Sequence, residues 1–425
     1  MAKLDIVALP EIQKTLKHNV LFNLLDGAFF GFGIGFGSFT MIIPLFVSNM
    51  TNSALLIGLI PAIHNVGWQL PQLLTANRLS RMERYKPWVM LMTINERVPF
   101  LGFAIVALLV PKIGNRVALI ITFALLVWQG LGAGFTANAW QNLISKVIPR
   151  EGLATFLGVQ TSASNLLGGV SAILAGIALV RIKQNYGFPT VFLAAFICFI
   201  LSWLVLNQTK ELPRDINQKI ITQTPIWHNI RKILKQEKTF TNFLVSRFLS
   251  QFGMMAFSFY TIYAVKILGM DNLTVGIMTS ILFITQTVTN PILGWLADKW
   301  SRKWILVFGG VCTVISVLLA LLIHDPVWFA LSFILYGIAN TVYWTIGMTF
   351  TLEFGKFEEK PTYVGLSNTL VAPATILAPL LGGLLADMFS YEVTFCVSIF
   401  FGVLTLFFLI FLARSPIERE PSPPD

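Results

Sequence analysis

The chain has 425 residues, of which 55% are hydrophobic and only 12% charged, with a mean hydropathy of +0.73. A soluble globule of that make-up would carry apolar surface over most of its exterior, so the composition places the chain in a bilayer. The net charge of +10 is scattered over short loops and forms no continuous basic face, which argues against nucleic acid and for membrane topology as its cause.

The N-terminal segment Met1 to Asn19 is polar and lacks the apolar run and cleavage site of a secretory signal, so it is expected to be retained. A spanning helix needs about 20 mostly apolar residues. On that ruler six spans follow, at roughly 20–47, 54–77, 88–110, 117–144, 153–180 and 189–207, and six more at roughly 239–267, 273–297, 304–323, 327–352, 362–387 and 393–413. The expectation is an all-α membrane protein of twelve transmembrane helices in two pseudo-symmetric six-helix bundles, 1–207 and 239–425. The linker between them, 208–238, is the longest polar stretch. In it Thr224 and Pro225 suit a helix cap and first residue, while Ile226, Ile230, Ile233 and Leu234 share one face and Arg231, Lys232 and Lys235 lie off it. That pattern predicts an amphipathic helix on the inner membrane surface. The proline-rich tail after Arg414 is expected to be disordered. With both termini inside, the inner loops and tails collect 23 Lys and Arg and the outer loops only 5, which orients the chain N-in, C-in.

The halves echo each other. Asn77-Arg78-Leu79-Ser80-Arg81 answers Asp298-Lys299-Trp300-Ser301-Arg302, Ala154-Thr155-Phe156-Leu157-Gly158 answers Pro361-Thr362-Tyr363-Val364-Gly365, and Gly176 answers Gly383. Repeated membrane halves suit transporters, because rocking one half against the other opens a site to either side.

The run Gly294-Trp295-Leu296-Ala297-Asp298-Lys299-Trp300-Ser301-Arg302-Lys303 resembles the loop signature of the major facilitator superfamily, Gly-x-Leu-Ala-Asp-Arg-x-Gly-Arg-Arg/Lys. Ser301 replaces its second glycine. The earlier copy departs further, with Leu73 in place of the glycine and Asn77 in place of the aspartate, leaving Arg78 and Arg81. The resemblance implies that Gly294, Asp298, Arg302 and Lys303 form a gating element. Asp298 would sit against the start of the eleventh span near Thr362, and Arg302 and Lys303 would contact neighbouring helix ends or lipid phosphates. A carboxylate there is favoured by the helix dipole and free N–H groups. The neutral Asn77 implies that the second latch is the stronger.

Ionisable residues inside spans are costly and therefore candidates for function. From the span starts, at 1.5 Å per residue, Asp26 lies about 9 Å in, Glu96 and Arg97 about 12–14 Å, and Arg247 about 10 Å. Asp26 and Arg247 occupy nearly equivalent positions of the two repeats. Asp26 reads as a proton carrier or substrate anchor, or else as half of an ion pair with Arg97 or with Arg247. Glu96 and Arg97 are adjacent, point about 100° apart, and need separate partners. His64 is a further titratable candidate.

Span four offers Asn138, Trp140, Gln141 and Asn142, and span ten Asn340, Tyr343 and Trp344. By resemblance these spans line the cavity with the first and seventh, where amides would orient an organic cargo and rings supply area; the alternative is interhelical hydrogen bonding. Gly27, Gly31 and Gly35 recur every four residues in span one, with Gly33 and Gly37 interleaved, which predicts close approach of another backbone. In span eleven Pro373, Pro379, Gly382 and Gly383 are expected to loosen the helix. Span five lacks the Gly-Pro pair of many drug/proton antiporters of the superfamily.

Cys198, Cys312 and Cys396 lie in apolar segments without paired spacing, and His18, His64, His228 and His324 are dispersed, so no disulfide framework, metal site or cofactor is expected. No Walker loop or catalytic cluster is present, so an enzyme is not expected. The reading is a secondary transporter of a small organic solute in a bacterial-type inner membrane, proton-coupled, with export favoured. A proton-coupled importer of a sugar, nucleoside or organic anion is the alternative, and a non-transporting receptor or lipid scramblase the distant one. The expected partners are a small-molecule substrate, protons and membrane lipids, for a chain acting as a monomer.

Overall fold

The computed structural model describes residues 8–39, 42–51, 54–182, 184–213, 226–269, 272–323, 325–355 and 359–413. Every regular element among them is helical. Backbone contacts separate a first unit, Met1–Arg150 with Val159–Asn217, from a second, Glu151–Gly158 with Gln218–Asp425.

The first unit holds α1 (Ala8–Phe36), α2 (Ile42–Ser48), α3 (Ala54–Gln69), α4 (Gln72–Ser80), α5 (Lys86–Ile113), α6 (Asn115–Val147), the greater part of α7 (Leu153–Arg181) and α8 (Gln184–Leu206). Span one is thus α1 with a short continuation in α2. Span two breaks at Leu70–Pro71, because proline has no N–H to give a continuing helix. Lipid tails are as apolar as leucine, so helices here associate through close packing and internal hydrogen bonds. Phe100, Phe103, Phe192 and Phe199 are each at most 1% exposed and form the centre of the core, with the Phe100 and Phe199 rings 4.5 Å apart. Ile120, Ile173 and Val180 point outward, as residues facing hydrocarbon should.

The glycine row of α1 works as its spacing suggests. A β-carbon at Gly31 would fall 2.3 Å from the backbone oxygen of Ser164 on α7. Only hydrogen fits there.

The second unit holds α9 (Ile226–Gln236), α10 (Lys238–Gly253), α11 (Phe257–Lys266), α12 (Asn272–Lys299), α13 (Arg302–Leu322), α14 (Pro326–Thr341), a π-helical turn at Val342–Ile346, α15 (Gly347–Thr351), α16 (Lys360–Met388), α17 (Tyr391–Phe407) and a second π turn at Phe408–Leu412. Its core gathers Tyr260, Phe329, Phe333 and Phe395. The Tyr260 hydroxyl shares a 2.9 Å hydrogen bond with Ser316, whose Oγ also reaches the Ser332 carbonyl at 2.8 Å, so the buried phenol is satisfied without water.

Nine helical stretches among the described residues are long and apolar enough to cross a bilayer. The remaining expected spans have identifiable reasons for falling short. α3/α4 and α10/α11 are interrupted, and α12 carries Thr285, Gln286, Thr287, Thr289 and Asn290 at its middle. In the linker, α9 leaves Arg231, Lys232 and Lys235 exposed and Ile230 buried; Thr224, Pro225 and the tail after Ala413 lie outside the described residues. In span eleven α16 runs for 29 residues through Pro373 and Pro379, so the prolines expected to loosen that helix do not break it.

Gly31→Val should cost about 1–3 kcal/mol through overpacking. Gly176→Val, where an added β-carbon meets nothing within 4 Å, should be close to neutral. Thermal unfolding of the two purified variants, side by side, checks the difference.

Candidate functional site

Asp26 on α1 and Arg97 on α5 are 5% and 3% exposed, well inside the first unit. Their nearest charged atoms are 3.7 Å apart, and Ser202 on α8 bridges them. Its Oγ accepts from Arg97 Nη2 at 2.8 Å and donates to Asp26 Oδ1 at 2.5 Å. Arg97 Nη1 donates to Thr93 Oγ1 one turn earlier, and the guanidinium lies 5.9 Å from the centre of the Phe30 ring. Glu96 is half-buried on the neighbouring face of α5. Of the two partners open to Asp26, the structure joins it to Arg97. Burying the pair costs several kcal/mol per ion unless further hydrogen bonds satisfy it, and Ser202 and Thr93 are those bonds. Neither stands out in sequence, since serine and threonine are ordinary in membrane helices.

The polar residues of α6 are largely tied into the bundle. Asn138 Nδ2 donates to the Gln72 carbonyl at 2.8 Å, Asn142 Nδ2 donates to Asn138 Oδ1 at 2.8 Å, Gln141 is 3% exposed, and Trp140 packs with Leu143 and Tyr85. His64 stacks on Phe39 with ring centres 3.8 Å apart and hydrogen-bonds Gln129 Oε1 at 2.9 Å.

In the second unit Arg247 on α10 donates to Ser367 and, at 3.4 Å, to Asn368 Oδ1 on α16. No carboxylate lies within 4 Å of it among the described residues. The second polar group spans α12 and the end of α14. Gln286 Nε2 donates to Asn340 Oδ1 at 3.2 Å, and Thr345 Oγ1 donates to Asn290 Oδ1 at 2.8 Å. Tyr343 and Trp344 lie in the π turn, and Trp344 is 55% exposed. A π turn inserts a residue and shifts the register of the following side chains, and such turns are frequent at functional sites. Asn290 is a member that sequence reading missed.

The signature loop corrects the expectation drawn from the resemblance. Asp298 does not sit at the start of the eleventh span. Its Oδ1 accepts from Ala154 N at 3.1 Å, and its Oδ2 accepts from Thr155 N at 2.6 Å and Thr155 Oγ1 at 2.8 Å, at the first turn of α7 in the fifth span. The carboxylate thus meets two free N–H groups at a helix N-terminus, the favourable end of the dipole. Arg302 holds it from behind, with Nη2 2.8 Å from Asp298 Oδ1 and Nη1 2.6 Å from Glu353 Oε1. Gly294 is required, since a β-carbon there would fall 2.3 Å from the Ala154 carbonyl oxygen. Lys303 Nζ donates to the Ile410 carbonyl at 3.1 Å, within the second π turn. Glu353, 3% exposed at its side chain, is the network member that the motif does not name. In the earlier copy Arg78 stacks on Trp88 at 4.6 Å.

A family model described as Major Facilitator Superfamily matches residues 243–425. Multidrug resistance protein MdtG of Salmonella arizonae is 26% identical over 310 residues, covering 70% of this chain and 72% of the relative. Among solved structures, the major facilitator transporter FucP in the outward conformation aligns with a TM-score of 0.74 at 13% identity, over 93% of this chain and 99% of that one. The human organic anion transporter MFSD10 aligns with a TM-score of 0.70 at 12% identity, over 93% and 99%. Residues 243–425 thus resemble the major facilitator superfamily in sequence, and the chain as a whole shares the fold of its transporters. It is a multi-pass membrane protein, and the superfamily's loop signature is here the network of Asp298, Arg302 and Glu353 on α7.

Asp298→Asn should weaken the hold on Ala154 N and Thr155 N. Hydrogen exchange of the peptide covering 151–158 should accelerate roughly 10- to 100-fold, the effect of losing charge-assisted bonds of about 1.5–3 kcal/mol. Exchange at Thr362 should stay unchanged, whereas acceleration there would place the latch at the eleventh span after all.

Proposed function

We propose that the chain is a proton-coupled exporter of small organic compounds, working by alternating access in a bacterial inner membrane with both termini inside. The observation that carries this is the Asp26–Ser202–Arg97 bridge. A carboxylate far from bulk water, hydrogen-bonded through one hydroxyl to one guanidinium, can exchange a proton only by changing its partners. Protonation removes its attraction to Arg97 and leaves that cation to seek another acceptor, which couples proton occupancy to the packing of α1, α5 and α8. Similarity to multidrug resistance relatives supports an organic cargo and outward direction. The amide and aromatic side chains of α12, α14 and the π turn, Gln286, Asn340 and Tyr343 among them, are suited to a cargo of mixed polarity. A second reading, import of an organic anion, is favoured by Arg247, whose described partners are neutral.

The test is uptake or efflux of a mixed panel of cationic, neutral and anionic compounds in proteoliposomes under a pH gradient. Asp26→Asn should reduce gradient-driven movement to the level of protein-free vesicles. Removing one member of a buried pair destabilises by about 3–5 kcal/mol while removing both often does not, so Asp26→Asn/Arg97→Gln is the informative companion. It should fold as the unaltered chain does yet remain uncoupled. Recovery of gradient-driven transport in the double variant would assign the pair to packing alone. Selective movement of anions that Arg247→Gln abolishes would favour the second reading.

A further inference from the structure

At the end of the first unit where α1 and α5 begin and α6 and α8 finish, a cavity of about 1170 Å³ opens beneath the segment following α8. That segment is built in, not merely draped. Asn19 bonds both the N–H and the carbonyl of Lys210, at 2.8 and 2.9 Å. Asn23 donates to Thr209 Oγ1 at 3.0 Å, and Lys86 Nζ donates to the Asn207 carbonyl at 2.5 Å. Glu211 turns inward, its side chain 1% exposed, and accepts from Tyr85 N, Lys86 N and Lys146 Nζ at 2.7 to 2.8 Å.

Glu211 is the lone carboxylate in the lining, against the four cations Arg84, Lys86, Lys146 and Lys210. Its charge is matched by Lys146 and by the start of α5. Lys86 lines the cavity wall, and the side chains of Arg84 and Lys210 are exposed and form no hydrogen bond or ion pair among the described residues. Between these cations the wall is apolar, with Leu16, Met90 and Val147 inside and Leu212 at the mouth, 77% exposed. An excess of positive charge among the described lining residues, beside apolar wall at the end of a membrane bundle, fits a ligand with an anionic head and an apolar body.

We infer that this cavity is a binding site for a phosphate-bearing anion, held by Arg84, Lys86 and Lys210, and that its apolar wall selects the headgroup of an anionic phospholipid over a free phosphate. The inference is independent of the transported cargo and of proton coupling.

Native mass spectrometry of the detergent-purified full chain tests it, with dioleoyl phosphatidylglycerol, dioleoyl phosphatidylcholine and glycerol 1-phosphate as probes. Phosphatidylglycerol should be retained preferentially. Its affinity should fall about thirtyfold in Arg84→Gln/Lys210→Gln, the combined effect of two basic residues at an anionic membrane surface, and stay unchanged in Arg231→Gln/Lys232→Gln, which removes the same charge from α9. Retention of glycerol 1-phosphate without phosphatidylglycerol, lost in the first pair variant, would keep the phosphate site and assign it to a soluble ligand. Equal retention of both lipids, or equal loss in both pair variants, would overturn the proposal.

Discussion

Hydrocarbon offers no hydrogen-bond partner, and almost every polar arrangement in this chain follows from that. Charges at depth are bridged by hydroxyls, as Ser202 bridges Asp26 and Arg97. Phenols find serines, as Tyr260 finds Ser316. Amides on one helix bond backbone on another, as Asn138 bonds Gln72. The same rule that stabilises the bundle limits how it can change, because a charge that leaves one partner must find another. A transporter uses that restriction: ligand or proton binding moves a helix only through the partners it exchanges.

Two carboxylates at helix starts illustrate a different use of charge. Glu211 caps the start of α5 and Asp298 the first turn of α7, each also held by a cation, Lys146 or Arg302. At a helix N-terminus a carboxylate satisfies N–H groups that have no partner within the helix. Both sites therefore define where a span begins. Asp298 carries an additional consequence, because α7 starts among the contacts of the second unit and continues in the first. Release of that carboxylate would free the first turn of a helix whose following turns, Gln160 to Ala172, pack on the glycine row of α1.

The π turn at Val342–Ile346 places irregular backbone where α14 meets the amides of α12. An extra residue per turn leaves a carbonyl imperfectly paired and rotates the next side chains. Within this turn Thr345 reaches Asn290, and Tyr343 and Trp344 lie in the distortion itself. Nothing in the local sequence, Val-Tyr-Trp-Thr-Ile, marks the insertion, since no proline or glycine is present within it.

Composition, hydropathy and the duplicated loops were enough to place the chain in a membrane and identify its fold, because those properties depend on the summed preferences of many residues. The glycine row of α1 was legible for a similar reason: a repeat of four sets one helix face irrespective of what lies opposite. The exceptional residues Asp26, Arg97 and Arg247 were legible too, since a charge in hydrocarbon is conspicuous. Their partners were not. Ser202 and Thr93 are commonplace residues, and the choice between Arg97 and Arg247 for Asp26 turned on helix rotation, which one-dimensional spacing leaves free. The target of Asp298 was read one repeat away from where it lies, because Ala154–Gly158 and Pro361–Gly365 are echoes of each other and sequence similarity cannot rank two equivalent helix starts. The sequence by itself determined which residues must be satisfied inside the bilayer; tertiary structure decided by whom, because pairing depends on distances between helices that no local pattern contains.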